Sequence, residues 1–202
     1  MRSGIRLLAM GFATVALFTT TVGAQTPTRV RGTIEKVDPQ TMTVKSREGR
    51  DVEIRLADNL TVTGVVNAPL SDIKVGTFVG AAALPQPDGT LKAIEVLIFP
   101  EAARGSGEGH YPWDLMPQSV MTNATVAESV AGVSGPMLTL KYKDGEKKIV
   151  VPPDAPIVTF VPGDRSLLKP GTGVFLSATP QADGKLMATR VTAGKDGVVP
   201  PM

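Results

Sequence analysis

Residues 42–56 carry the sequence MTVKSREGRDVEIRL, in which apolar and polar residues alternate on both sides of the turn Arg47-Glu48-Gly49. A period of two is typical of half-buried β-strands, because successive side chains of a strand point to opposite faces of the sheet. A glycine among polar residues is typical of the tight turn in a hairpin. The stretch therefore predicts two antiparallel strands joined by a short turn.

The same pattern occurs a second time, about 95 positions further along the chain. Leu138-Thr139-Leu140-Lys141 corresponds to Met42–Lys45, and the turn Lys143-Asp144-Gly145 corresponds to Arg47–Gly49. Four further pairs of segments match at nearly the same spacing: Val30–Val37 with Ala124–Val130, Val62-Thr63 with Val158-Thr159, Lys74–Thr77 with Lys169–Thr172, and Asp88–Leu91 with Asp183–Leu186. This constancy predicts an internal duplication that covers residues 30–98 and 124–193.

Each repeat predicts five strands separated by turns rich in Gly and Pro. A short helical turn is expected between the third and fourth strands, in 67–73 and again in 163–168, where Ser71 or Asp164 could cap it. Five strands in about 70 residues are typical of a small closed barrel, because closure removes the exposed edges of the sheet. We therefore expect an all-β protein with two tandem five-stranded barrels, OB-like or alternatively SH3-like, joined by an ordered linker rich in Gly and aromatic residues.

The N-terminal 24 residues have the composition of a signal peptide. Arg2 and Arg6 precede the mostly apolar run Leu7 to Phe18, and Val22-Gly23-Ala24 supplies small residues for cleavage after Ala24. We therefore expect export to the periplasm, with no transmembrane segment after cleavage; an uncleaved anchor is the alternative. The predicted organisation is a signal peptide at 1–24, a first barrel at 25–99, a linker at 100–123, a second barrel at 124–194 and a flexible tail at 195–202.

Charge and cysteine content narrow the class of function. The chain has 21 Lys and Arg against 19 Asp and Glu, and removing Arg2 and Arg6 leaves 19 of each sign. A neutral mature protein with few aromatic residues lacks the basic, stacking surface that nucleic acid requires, so we expect no nucleic-acid partner. The absence of Cys from the sequence excludes a disulfide scaffold and a thiolate metal site.

The predicted linker breaks the strand pattern and concentrates the unusual residues. It contains the only His and the only Trp of the chain, close to one of its two Tyr. Long connections in compact proteins are usually functional or disordered, and disordered segments are poor in aromatic residues. Three roles follow from this composition: a plug that holds the barrels together, a ligand-contacting loop, or a mobile lid. The candidate binding residues are Arg104, Glu108, His110, Tyr111, Trp113 and Asp114.

Metal binding and catalysis are weaker hypotheses. His110 could join the thioethers of Met116 and Met121, which suit Cu(I), or nearby acidic side chains. One His without Cys, however, has no ligand spacing of a known metal site, and we expect no cofactor. A hydrolase would have to use His110 with Ser106 and Asp114, but triads are normally assembled from residues distant in sequence.

The segments Gly32-Thr33-Ile34-Glu35, Lys74-Val75-Gly76 and Asp88-Gly89-Thr90-Leu91 resemble an exported bacterial β-barrel family of unknown function. The linker phrase GEGHYPWDL, residues 107–115, resembles the signature of its tandem members in Gram-negative bacteria. This resemblance implies small OB-like repeats after a signal peptide and assigns no activity. Some such sequences carry a metal-transporter permease label, which this chain, without multiple hydrophobic spans, does not support.

These observations predict a periplasmic, non-enzymatic binding or adaptor protein whose partner is an unidentified protein or small ligand. Residues 104–116 are expected to shape the recognition surface, because they are the part of the chain that the two repeats do not share. A metal-handling protein for copper or zinc is the alternative, and a hydrolase is the third option.

Overall fold

The computed structural model describes residues 26–200, and the predicted signal peptide lies outside this range. The described chain is built of β-strands with three short 3-10 segments, which confirms the all-β prediction. The strands are β1 Thr28–Val37, β2 Thr41–Ser46, β3 Asp51–Asn67, β4 Phe78–Pro85, β5 Leu91–Ile98, β6 Gly109–Pro112, β7 Val120–Val130, β8 Met137–Tyr142, β9 Gly145–Val150, β10 Ile157–Pro162, β11 Gly173–Pro180 and β12 Leu186–Gly194. The described part of the chain has no helix that is long and apolar enough to cross a membrane.

Five strands form a closed barrel in the circular order β1–β2–β3–β12–β11. The antiparallel pairing of β1 with β11 and the parallel pairing of β3 with β12 close the ring. Its interior is filled by apolar side chains from all five strands, including Ile34, Val44, Ile54, Leu176 and Val191. The barrel therefore takes three strands from the first repeat and two from the second.

Five other strands pair in a second ring, in the order β7–β8–β9–β5–β4. Four of its pairings are antiparallel, and the parallel contact between β5 and β9 comprises two residue pairs. A separate core fills it, with Ala81, Val96, Val126, Leu138 and Ile149 among its members. This ring takes two strands from the first repeat and three from the second, the reverse of the first barrel.

The strand registers of the two rings are equivalent. Leu91 pairs with Ile149 in the second ring, and their counterparts Leu186 and Ile54 pair in the first barrel. A bulge also interrupts β1 between Ile34 and Lys36 and β7 between Val126 and Glu128. These matching registers agree with the predicted duplication, but the prediction of two tandem barrels with one repeat in each is not confirmed, because the repeats exchange their last two strands.

The length of β3 explains the exchange. Its residues 63–67 pair with β10, with Val65 opposite Phe160, while residues 63–65 still pair with β12 of the first barrel on the other side. The strand β10 also pairs in parallel with β5. The chain has therefore reached the second ring before β4 begins. The counterpart of β3 in the second repeat is divided into β9 and β10 by Pro152 and Pro153, since proline cannot donate to a strand ladder.

The predicted helical turns are 3-10 segments at Leu70–Asp72 and Arg165–Leu167. Asp164 caps the second one by accepting a hydrogen bond from Ser166 N at 2.7 Å, as expected. Ser71 lies inside the first segment, where Pro69 takes the capping position without a side-chain bond, so the expected Ser71 cap was wrong.

The described part of the predicted flexible tail lies against the first barrel. Lys195 N donates a hydrogen bond to Val65 O, and Pro200 is buried. A Cβ on Gly173 would lie 3.2 Å from Pro200, and a Cβ on Gly194 would overlap Val198 O. The counterparts of these glycines in the second ring are Phe78 and Phe99, whose rings pack edge to face. The tail therefore packs over Gly173 and Gly194, the positions at which the second ring has the aromatic pair Phe78 and Phe99.

Candidate functional site

The linker is fastened to the second ring at both sides of its glycine-rich stretch. Arg104 donates two hydrogen bonds to Glu101, at 2.6 and 2.8 Å, and one to the carbonyl of Gly76 at 2.9 Å. Glu108 accepts a hydrogen bond from Lys143 N at 3.0 Å. Arg104 and Glu108, both predicted as binding residues, therefore serve in this structure to hold the linker in place.

After these anchors the linker forms β6, which pairs with β7 and divides its side chains between two faces. Tyr111 lies opposite Met121, whereas His110 lies opposite Thr122. Because neighbouring positions of a strand point to opposite faces, Tyr111 and Met121 share one face and His110 is on the other.

His110 lies on the same face of the sheet as Thr122, and this face packs against the core of the second ring. Its Nδ1 is 2.9 Å from the Thr122 hydroxyl, and its ring stacks on Tyr142 with a centroid distance of 6.4 Å. Burial and the positive charge of Lys147 lower the pKa of His110. The imidazole is therefore predominantly neutral at neutral pH.

The structure separates the predicted metal ligands. His110 and Met121 lie on opposite faces, and Met116 is 46% exposed. Among residues 26–200, no three His, Cys, Asp or Glu side chains are grouped so that they could hold a metal ion. The metal hypothesis thus stays a prediction without a ligand set in the described part of the chain.

Trp113 and Asp114 follow β6 and contact the outer surface of the first barrel. Asp114 forms ion pairs with Arg31 at 2.7 Å and with Arg29 at 3.3 Å. The Arg29 guanidinium lies 4.2 Å from the centre of the Trp113 ring, and that of Arg31 lies at 5.7 Å. Burial opposes ionisation of Asp114, but the Arg31 hydrogen bond and the charges of both arginines outweigh it and lower the pKa of the carboxyl. The charged groups thus hold the indole at the junction of the two rings.

A cavity of about 230 Å³ lies behind Trp113, between the linker and the two rings. Its walls are mainly apolar and contain five aromatic rings. The lining residues are Gly80, Leu97, Phe99, Ser106, Gly107, Tyr111, Trp113, Met121, Asn123, Phe160 and Phe175. A Cβ on Gly80 would lie 2.6 Å from Asn123 Oδ1 and 3.0 Å from Phe99 Cε2, so glycine leaves the space in which these side chains meet.

Three buried side-chain atoms in the described chain have no hydrogen-bond partner there: Glu95 Oε2, Trp113 Nε1 and Asn123 Oδ1. Asn123 and Trp113 line the cavity, and Asn123 donates to Ser106 O and to the Tyr111 hydroxyl through its other amide atom. Glu95 pairs with Ala82, which pairs with Met121, so it shares the cavity's side of the sheet. Burial raises the pKa of Glu95 to about 8 against the attraction of Arg31 and Arg47. Unsatisfied polar groups thus gather on the sheet face that carries the cavity.

The structure retains part of the predicted binding set and adds to it. Tyr111 and Trp113 line the cavity, Asp114 positions Trp113, and Arg104, Glu108 and His110 point elsewhere. Sequence reasoning missed Gly80, Phe99, Asn123, Phe160 and Phe175, which lie in or beside the strands of the repeats. Phe175 and Gly80 occupy equivalent positions of the two copies. A comparison of equivalent positions that carry different residues could therefore have revealed these two.

Residues 31–96 match the model of a domain of unknown function, DUF5666. The match agrees with the predicted resemblance to a family of unknown function, and its description contains no transporter label. No curated protein and no solved structure matches the chain significantly. The matched segment is a unit of sequence and does not form one barrel, because it supplies β1–β3 to the first barrel and β4–β5 to the second ring.

Proposed function

We propose that this chain is a non-enzymatic binding protein whose recognition site is the aromatic cavity between the linker and the two rings. The observation that carries the proposal is the placement of unsatisfied buried polar atoms of Trp113 and Asn123 on residues that line an apolar cavity. Small-molecule sites are typically concave and apolar, with a few polar groups that fix the orientation of the ligand.

A purely structural plug explains this arrangement less well. Protein interiors are close-packed, and a buried donor or acceptor without a partner costs about 1–3 kcal/mol. A plug would be expected to fill the cavity with its own side chains and to satisfy Trp113 Nε1. A binding site, in contrast, keeps such a space open for a ligand.

In this proposal, only some residues of the segment 104–116 contact the ligand. Tyr111 and Trp113 would contact the ligand, while Arg104 and Glu108 hold the segment and Asp114 orients the indole through Arg29. The same two aromatic residues would provide the contact if the partner were a protein, as in an adaptor. The composition of residues 1–24 supports a periplasmic location for this activity.

A comparison of the chain's two tyrosines tests the proposal. The full-length protein, purified without denaturant from the cell-envelope fraction, is examined by native mass spectrometry for a bound small molecule. We expect a discrete added mass in the wild type that is reduced at least tenfold in Tyr111→Ala, because Tyr111 lines the cavity. Tyr142→Ala is the matched control, since Tyr142 lies outside the cavity and stacks on His110.

Thermal unfolding of both variants shows whether they remain folded. An added mass that persists equally in folded Tyr111→Ala would place binding elsewhere and contradict the proposal. A wild type that carries no added mass, from the envelope or after incubation with an envelope extract, would contradict it as well.

A further inference from the structure

We infer that the ligand of this cavity is an uncharged aromatic compound of one or two rings that carries a hydrogen-bonding group. The inference rests on the proposed binding function and deepens it by assigning the chemical class of the ligand. It follows from the volume of the cavity, the rings that line it, the charges around it and its unsatisfied polar atoms.

The volume limits the part of the ligand that the walls can surround. An apolar cavity of about 150 Å³ is enough to hold benzene. The cavity here measures about 230 Å³, which leaves room for a ring with a substituent or for two fused rings. Drug-sized ligands usually occupy roughly 300–1,000 Å³, so a larger molecule would have to extend beyond the walls through the open side of the cavity.

The walls favour an aromatic ligand over an aliphatic one of the same size. Phe99 packs edge to face against Phe160 at a centroid distance of 5.9 Å, and Tyr111 packs in the same way against Trp113 at 6.1 Å. The rings of both pairs line the same cavity. An aromatic ligand can gain edge-to-face or offset-stacked contacts with such rings beyond the burial of its surface, which an aliphatic ring does not gain.

The surrounding charges disfavour a cationic ligand, although aromatic cages are a common way to bind one. The Trp113 ring already faces Arg29 at 4.2 Å, and the Phe175 ring faces Arg31 at 4.9 Å. A cation would therefore meet two guanidinium groups around the rings that should attract it. An anion would lose its hydration among mainly apolar walls, and the nearby guanidinium groups are already paired with Asp114. A neutral molecule avoids both costs.

The lining residues Asn123 and Trp113 favour a ligand with a hydrogen-bonding group, which could satisfy their enclosed polar atoms once the side chains turn toward it. Asn123 Oδ1 is an acceptor and Trp113 Nε1 is a donor. A phenolic hydroxyl can donate to the first and accept from the second, and an indole N–H can donate to Asn123. Aromatic hydrocarbons offer neither bond and should bind more weakly.

A panel of small probes tests the inference by isothermal titration calorimetry on the full-length protein. We expect saturable one-to-one binding of phenol and indole, at least tenfold tighter than that of cyclohexanol, benzoate or benzyltrimethylammonium. Toluene should fall between these groups, because it keeps the ring and lacks the polar group. Equal or tighter binding of cyclohexanol or of the cation would overturn the assignment.

Two variants locate the binding. Gly80→Ala should weaken phenol at least tenfold, because the new methyl group would meet Asn123 Oδ1 and Phe99. Gly64→Ala is the matched control: its methyl group would be similarly close to Val161, at 2.9 Å, but away from the cavity. Asn123→Leu should weaken phenol more than toluene, because only phenol loses a hydrogen-bonding partner, and this comparison keeps the test decisive if Gly80→Ala fails to fold.

The outcomes separate this inference from the proposed function. If no probe binds but the native protein carries an added mass that Tyr111→Ala removes, the assigned class is wrong and the binding function stands. If neither experiment shows binding, both are wrong. Phenol binding that is unchanged in folded Gly80→Ala and Asn123→Leu would also overturn the inference, because the probe would then occupy another place.

Discussion

Glu95 places a carboxyl group on the side of the sheet that carries the cavity, and only 1% of the residue is exposed there. Burial raises its pKa from an ordinary value of 4.5 to about 8, and the charges of Arg31 and Arg47 only partly oppose this effect. Between pH 4.5 and about pH 8, Glu95 is therefore protonated in the folded state and ionised in the unfolded chain. Stability contributed by the protonated group is therefore lost as the pH rises from about 4.5 to 8.

Glu95→Gln should remove this loss. We expect the free energy of unfolding of the wild type to fall by a few kcal/mol between pH 5 and pH 8, since one pKa unit corresponds to about 1.4 kcal/mol. The variant should be the more stable of the two at pH 8. Urea unfolding at both pH values measures the difference, with the exposed Glu146→Gln as control. A wild-type pH dependence that Glu95→Gln retains in full would show that other groups cause it.

The burial of Glu95 also shows where sequence patterns stop being informative. The strand alternation of Leu91 and Ala93 predicts that both face a core, as they do. A bulge opposite Ala82 and Ala83 then shifts the pattern by one position, so that Glu95 falls on a buried face and Val96 on the core face. Bulges of this kind depend on the partner strand, and the sequence of β5 alone does not reveal them.

At the scale of elements, the linker and the tail are the two segments that the repeats do not share. Two of the roles that the sequence leaves open for the linker, a plug and a ligand-contacting loop, place its aromatic residues against the strands, and Tyr111 and Trp113 line the cavity there. The sequence contains no indication that residues 195–200 would pack. Their contacts depend on Gly173 and Gly194, which gain a partner only when the chain folds back.

Gly194→Ala and removal of the chain after Gly197 should act through the same contact. Each change alone is expected to lower the free energy of unfolding by about 1–2 kcal/mol, because the contacts of the buried Pro200 and the half-buried Val198 are lost. In the shortened chain, Gly194→Ala should cost much less, since the Val198 carbonyl that its methyl group would meet is gone. Denaturant unfolding of the four proteins measures this coupling. Full additivity would mean that the tail does not press on Gly194.

For the whole molecule, the sequence predicts the strands and their duplication but leaves open which strands close each ring. The equivalent strands β4 and β11 carry the same pattern, and both closures use the same registers. The choice depends on the continuous length of β3, which spans Asp51–Asn67 and delivers the chain to the second ring. Local periodicity contains no information on this long-range geometry, so one repeat in each barrel was the simpler prediction.

Cleavage of the linker distinguishes exchanged strands from tandem barrels. A protease site inserted after Gly105 should be tolerated, because Gly105 is exposed in a turn and a Cβ at this position would have no neighbouring atom within 4 Å. After cleavage, each fragment still contributes strands to both rings: β1–β3 and β4–β5 from one, and β7–β9 and β11–β12 from the other. The fragments should therefore elute together in native size-exclusion chromatography and separate only in denaturant. Their unfolding should become dependent on protein concentration, whereas the uncut insertion variant unfolds independently of it. Two folded fragments that separate without denaturant would contradict the exchange, because neither fragment could then need the strands of the other to complete its barrel.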